Sequence, residues 1–380
     1  MATVVPLEGD TSSAGGSSPG PQAAPADPGA GAGRRRLVSP RLDGWLVGGV
    51  GIVAWVVLAR PFGLGGDGIP TITGPFMWLL LAITGTHFGI SYHLAYGQGR
   101  AEVRRNWPAL VGVPAALGVV SFAVVVAAVL GAGGLAVLGV RLLLVSVFTL
   151  TGWHYVKQAY GVARVGASLG GLPLDRASTR VLRYGLYPLW FLNASIVWTR
   201  GYRPASYGFA GGFEVFPPIT ERALEVVAVV SLVVVGGAFV RLAVHARTLP
   251  PATMWTPYLV AYLFFVWTPG HVSTFLVLGA LHGLQYLVCA HRAEVSWGAE
   301  RREPRPVVWW ATVFGTALAT GMLLSYWLPM WLGGAMASTA AGPLVAVLLF
   351  AYFNLHHYAV DAVMWRSGGG HVRRIVKGPA

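Results

Sequence analysis

Ten apolar runs, each near the length needed to cross a bilayer, follow one another from residue 44 to residue 361 with short loops between them. A hydrocarbon core about 30 Å thick takes roughly 20 apolar residues as a helix. In that core every backbone group must be satisfied within its own segment, which leaves helices or closed barrels. The runs predict an all-α, polytopic transmembrane bundle with helices over 44–61, 73–97, 108–131, 135–160, 182–199, 223–245, 253–269, 271–291, 307–330 and 335–361. Thr268-Pro269-Gly270 reads as a tight turn between the seventh and eighth.

Composition agrees. Hydrophobic residues make up 55% of the 380 and charged residues only 11%, where a soluble domain carries about 25%. Residues 1–42 differ: Ala, Gly, Pro and Ser dominate and no apolar period is visible, the signature of a disordered tail. Residues 43–366 form the predicted helical domain, and 367–380 a basic C-terminal tail.

The net charge of +13 does not argue for nucleic acid, because the arginines lie in short loops where membrane topology explains them. Arg34, Arg35, Arg36 and Arg41 precede the first run, and Arg100, Arg104 and Arg105 follow the second. Arg164, Arg176, Arg180 and Arg183 follow the fourth, Arg241 and Arg247 the sixth, and Arg292, Arg301, Arg302 and Arg305 the eighth. Arg366, Arg373, Arg374 and Lys377 close the chain. The alternate loops hold only Arg60, Arg200, Arg203 and Arg222. Every second loop is basic, as ten spans with both termini in the cytoplasm require. The expected location is the bacterial inner membrane, with lipids as the immediate partners. Cys289 is the single cysteine, which excludes an internal disulfide and a thiolate-based zinc or iron–sulfur site.

Of ten histidines, His245, His291 and His371 fall at helix ends or in the tail and read as surface residues, and His271 opens the eighth run. The other six lie on the second, fourth, eighth and tenth runs, all of which cross in the same direction. At about 1.5 Å per residue from the first basic loop residue, His93 lies about 10 Å deep, His154 and His282 about 15 Å, His357 about 14 Å and His87 about 20 Å. They share one layer in the cytoplasmic half. Polar groups at that depth pair with one another or face the bundle interior, and imidazole is the commonest metal ligand. His87, His154, His282, His356 and His357 are the candidate ligands. His87 and His93 diverge by about 120° around one helix, and adjacent His356 and His357 by about 100°. One member of each pair is therefore expected at the site, and the other packs. For any single histidine the bland alternative is a helix–helix hydrogen bond.

Partners lie one turn away. Lys157 and Gln158 follow His154, Gln285 follows His282, and Asp361 follows His357. Such groups orient a ligand imidazole, and Asp361 is also a candidate direct ligand. Tyr92, Tyr155, Tyr286, Tyr352 and Asn354 add hydrogen-bonding tips in the same layer.

Three segments resemble motifs of a group of bacterial polytopic membrane proteins with no assigned activity: Trp153-His154-Tyr155-Val156-Lys157-Gln158-Ala159-Tyr160-Gly161, the run from Asn354 through His356, His357 and Asp361 to Trp365-Arg366, and Thr86-His87-Phe88-Gly89-Ile90-Ser91-Tyr92. The chain is also loosely similar to histidine-rich membrane oxygenases, the fatty-acid hydroxylases and desaturases and the carotene-cleaving dioxygenases. It lacks their His-x-x-His-His boxes, so the similarity implies a mononuclear site rather than a di-iron one. The leading expectation is an enzyme that uses iron, or else zinc, copper or manganese, on a lipophilic substrate, with electrons from a cytoplasmic donor. The rivals are a haem-binding electron-transfer protein, a proton-coupled transporter and a metal-independent acyltransferase.

Overall fold

A computed structural model describes residues 36–59, 74–199, 213–267, 272–336, 341–366 and 369–377. The described residues are helical, with no strand among them. The turn expected at Thr268-Pro269-Gly270, His271 and most of the N-terminal tail lie outside them.

The chain opens with α1 (Pro40–Gly44), which runs through a π-helical turn at Trp45–Gly49 into α2 (Val50–Ala59). Ser39 caps α1 through the Leu42 amide, and the Asp43 carboxylate accepts from the Leu37, Val38 and Ser39 amides. The last residues of the expected tail are thus folded onto the first helix, because Asp43 satisfies amides that would otherwise have no partner.

Next come α3 (Gly74–Tyr96), the short α4 (Arg100–Arg105), and a π-helical turn at Pro108–Gly112 leading into α5 (Val113–Val129). Then follow α6 (Gly133–Leu169), α7 (Arg176–Tyr184), α8 (Tyr187–Thr199), α9 (Pro218–Ala246) and α10 (Ala252–Trp267). The last helices are α11 (Val272–Glu300), α12 (Pro306–Met322), joined through a π-helical turn to α13 (Leu328–Ala335), then α14 (Ala341–Met364) and α15 (Gly370–Lys377). Among the described residues, helix lies within each of the ten apolar runs.

Five helical stretches are long and apolar enough to cross a membrane: Pro108–Val129, Gly133–Leu169, Pro218–Ala246, Pro306–Ala335 and Gly342–Met364. At 1.5 Å per residue, α6 is about 55 Å long and outreaches any bilayer core. It continues past its expected end at residue 160 because Val162, Ala163, Val165, Gly166 and Ala167 are buried by packing rather than by lipid. The C-terminal tail also departs from expectation. It forms α15, whose Ile375 and His371 are buried.

Close approach between helices depends on glycine at a few points. A Cβ on Gly89 of α3 would collide with the Ala317 carbonyl of α12, and one on Gly321 of α12 would collide with the Gly85 carbonyl of α3. This small-residue crossing locks α3 against α12. On α11, a Cβ at Gly283 would stand 3.3 Å from the His87 Cβ and the Ile83 carbonyl of α3. The absence of that methyl lets α3 and α11 meet where each carries a histidine.

Candidate metal centre

His87 on α3, His154 on α6, His282 on α11, and His357 and Asp361 on α14 converge. One ligand atom from each lies within 4.8 Å of all the others. Two donors on opposite sides of an ion, each about 2.1 Å from it, would be about 4.2 Å apart, so the cluster has room for one metal ion. The ring centroids of His87 and His282 are 4.9 Å apart, those of His87 and His357 4.5 Å, and those of His154 and His282 4.4 Å. The Asp361 Oδ2 lies 3.4 Å from His154 Nε2 and 3.6 Å from His357 Nε2.

The surroundings are dry. His87 and His357 are each 1% exposed, Asp361 3% and His282 5%. His154 is the most open of the five, with 10% of its side chain accessible. Tyr286 packs against His87 at 4.2 Å, Phe88 stacks on His357 at 4.2 Å, Tyr155 lies over His282 at 4.5 Å, and Tyr358 lies 4.9 Å from His154. The hydrophobic rings narrow the space to the dimensions of an ion.

The strongest sign that these residues fit a metal is what they lack. Both nitrogens of His87, the Nε2 atoms of His154, His282 and His357, and both oxygens of Asp361 are buried without a hydrogen-bond partner. A buried polar group left unsatisfied costs about 1–3 kcal/mol, and more if charged. Seven such atoms on four helices, gathered in one place, would be a large uncompensated cost. A single cation bound by one lone pair from each of the five residues removes most of it, and the second nitrogen of His87 carries that ring's N–H.

The outer layer is hydrogen-bonded. The Gln158 Nε2 donates to the His282 carbonyl at 2.8 Å and to the Gln285 Oε1 at 3.2 Å, tying α6 to α11 beside two of the histidines. Gln158 is therefore a tie between helices. Lys157 does not enter the cluster, since its ammonium lies 5.0 Å from the Trp153 ring centroid in a cation–π contact.

The structure separates both histidine pairs. His357 joins the cluster, while His356 faces α3, with Nδ1 3.2 Å from the Tyr92 hydroxyl and Nε2 3.2 Å from the Tyr96 hydroxyl. His87 joins the cluster, while His93 lies 3.4 Å from the buried Glu294 of α11. Trp309 donates to the same carboxylate at 3.3 Å. Sequence reasoning passed over Glu294 and Ser91. The signal for Ser91 is its place one turn after His87 on the same face of α3. Asn354 turns to its own helix and donates to the Phe350 carbonyl.

Of the histidines expected at the surface, His245 is exposed and His291 is half-buried beside Trp310. His371 is buried, because α15 folds back so that the Gln98 amide meets the His371 Nε2. Burial and the neighbouring Arg374 guanidinium push its imidazole down to about 4.

In sum of chemistry, the centre offers four neutral nitrogen donors and one carboxylate, without thiolate. Cys289 is buried in a separate apolar cluster with Val288 and Ala293. The chain matches no protein-family model, no curated protein and no solved structure.

Proposed function

We propose that this chain is a polytopic inner-membrane enzyme that binds one iron ion through His87, His154, His282, His357 and Asp361 and uses it in oxidative chemistry on a lipophilic substrate. The observation that carries the reading is the convergence of unpartnered donor atoms from α3, α6, α11 and α14. Imidazole and carboxylate together suit iron, zinc, copper or manganese. Five donors overfill the four-coordinate shell of structural zinc. They leave one position of a six-coordinate shell for an exogenous ligand, which favours iron. When bound, the metal would supply oxygen activation or Lewis acidity.

The chain's own residues supply the rest. Asp361 contributes the one anionic donor and lowers the net charge of a cation held in a dry interior. Phe88, Tyr155 and Tyr286 exclude water. The edge at His154 is the most open, so a substrate would reach the centre there, between apolar helices that a lipid-soluble molecule can enter from the bilayer. Alternation of basic loops supports ten spans with both termini in the cytoplasm, which puts the centre nearer the cytoplasmic face and within reach of a cytoplasmic electron donor.

Haem fits less well. Imidazole rings 4.4–4.9 Å apart with Tyr286 and Phe88 against them leave no slot for a porphyrin plane. The test is elemental analysis with an optical spectrum of the detergent-purified chain. About one iron per chain is expected, with no Soret band, and His154→Ala should lose the metal. Absence of stoichiometric metal, or full retention in His154→Ala, overturns the proposal. A Soret band replaces it with the haem reading.

A further inference from the structure

His356 and His357 are neighbours on α14, yet only one enters the metal centre. Helix rotation separates their directions by about 100°, but direction alone does not decide which ring nitrogen faces where. The partners on α3 do.

The Ser91 hydroxyl donates its one proton to the Phe88 carbonyl at 2.8 Å, since a carbonyl can only accept. The same oxygen lies 2.9 Å from the His357 Nδ1. With its proton spent, the hydroxyl can only accept there, so His357 carries its hydrogen on Nδ1. Its Nε2 is then a lone pair, and this is the atom that points unpartnered into the cluster. Ser91 is itself wholly buried, so no water competes for the bond.

The next residue reads the other way. Tyr96 donates to the Leu110 carbonyl at 2.6 Å, so its oxygen accepts from the His356 Nε2–H at 3.2 Å. Nδ1 of that ring is left to accept from the Tyr92 hydroxyl at 3.2 Å. Both nitrogens of His356 are occupied. The adjacent pair Ser91-Tyr92 thus meets the adjacent pair His356-His357 and gives them opposite tautomers.

We propose that Ser91 is a positioning residue of the metal centre: by accepting from His357 Nδ1 it presents Nε2 of His357 as a metal ligand, while Tyr92 and Tyr96 hold His356 out of the coordination sphere. This inference rests on the metal-site reading above. A hydrogen bond to the distal nitrogen of a ligand imidazole fixes its tautomer and orientation, and its loss typically lowers metal affinity 10–100-fold.

The test uses the full chain in detergent, stripped of metal and titrated with Co²⁺, whose visible absorption reports both affinity and coordination geometry. Ser91→Ala should bind Co²⁺ 10–100-fold more weakly with an altered band shape, and Ser91→Thr, which keeps the hydroxyl, should restore both. Tyr92→Phe, which leaves the Tyr96 bond to His356 in place, should leave affinity within a few fold. Nitrogen-15 NMR of histidine-labelled wild-type protein, with the His357 signal assigned by its loss in His357→Gln, should show a protonated Nδ1 and a bare Nε2 before metal is added. This measurement stands even if Ser91→Ala fails to fold. Wild-type protein that binds Co²⁺, with Ser91→Ala indistinguishable from it or with His357 protonated on Nε2, overturns the role of Ser91 alone. Wild-type protein that binds no Co²⁺ overturns the metal site and this inference together.

Discussion

α9 and α14 are both long and apolar enough to cross a membrane, but they are opposite kinds of helix. α9 is the most apolar of the five such stretches and α14 the least. In α9, 17% of the apolar window is buried, against 39% in α14. α9 turns Val226, Val230, Val233, Val234, Val240 and Val244 outward, and its buried positions are mostly small or aliphatic. α14 buries His356, His357 and Asp361. One further helix of the centre, α3, is 23 residues long yet is not among the five. Its two histidines, with its threonines, glycines and tyrosines, lower its apolarity. α3 and α14 score low because the residues that build a buried polar centre are the ones a lipid-transfer scale penalises, whereas α6 scores high although it carries His154, because its long apolar first half outweighs the polar segment around that residue.

The largest effect should come from breaking the centre on the α14 side. Asp361→Ala removes the one anionic donor and should reduce bound metal to background in elemental analysis. Asp361→Asn, which keeps shape and one oxygen donor, should retain a weaker site, with affinity lowered about 10–100-fold, the scale of a disturbed ligand set. Equal metal content in wild type and Asp361→Ala would remove Asp361 from the site.

Next in size is the crossing that holds α3 in place. Gly89→Val puts a branched side chain where even a Cβ meets the Ala317 carbonyl. Overpacking of this kind costs about 1–3 kcal/mol, and here backbone rather than a movable side chain opposes it. Thermal unfolding in detergent should fall by several degrees and metal retention should fall with it, since His87 lies half a turn away. A variant that unfolds earlier but keeps its metal would separate the crossing from the centre.

Much of this was legible in the sequence. The apolar runs gave the helices, and the distance of each histidine from the next basic loop gave the shared layer. The choice within the two histidine pairs was not legible. Spacing along one helix sets relative angles, but the absolute rotation of α14 comes from its neighbours, and Ser91 and Tyr92 lie 266 and 264 residues from their partners. The direction of Lys157 was not legible for a related reason. It shares a face with His154 by spacing, but its long chain turns to the Trp153 ring. His93 and Glu294 likewise meet only because α3 and α11 pack side by side. The fold of α15 was missed because eight polar and apolar residues mixed at helical spacing look like a charged tail until α11 offers a surface for Ile375.

A smaller effect should follow from pH at α15, which follows α14 closely and packs Ile375 beside Val288 and Cys289 of α11. Burial holds His371 neutral, with its pKa pushed down to about 4 from an ordinary value near 6.5. Above pH 6.5 neither the docked nor the free tail takes up the proton, and docking has its full strength. As pH falls from 6.5 toward 4 the free tail protonates first, and docking weakens by about 1.4 kcal/mol per pH unit, to a total on the order of 3 kcal/mol. Hydrogen exchange over 370–377 should accelerate across that window, and His371→Asn should flatten the dependence. An exchange rate independent of pH after correction for intrinsic chemistry would contradict the buried, neutral assignment.

The smallest effect is expected on α9, and it tests the comparison from its other side. Val233 is 70% exposed, on a face that nothing among the described residues covers. Val233→Ala removes two methyl groups from that face. In a soluble core such a loss would cost roughly 1–3 kcal/mol through lost burial and a cavity. On a lipid-facing surface the hydrocarbon refills the space, so the unfolding temperature should move by less than a degree or two and metal content should not move at all. A large destabilisation would mean that the exposed valines of α9 are covered by protein in the native membrane, through a second copy or another chain. The contrast with α14 would then reflect a missing neighbour rather than lipid. A null result supports a division of labour in which α9 seals the bundle against the bilayer and α14, with α3, α6 and α11, holds the polar centre that the seal protects.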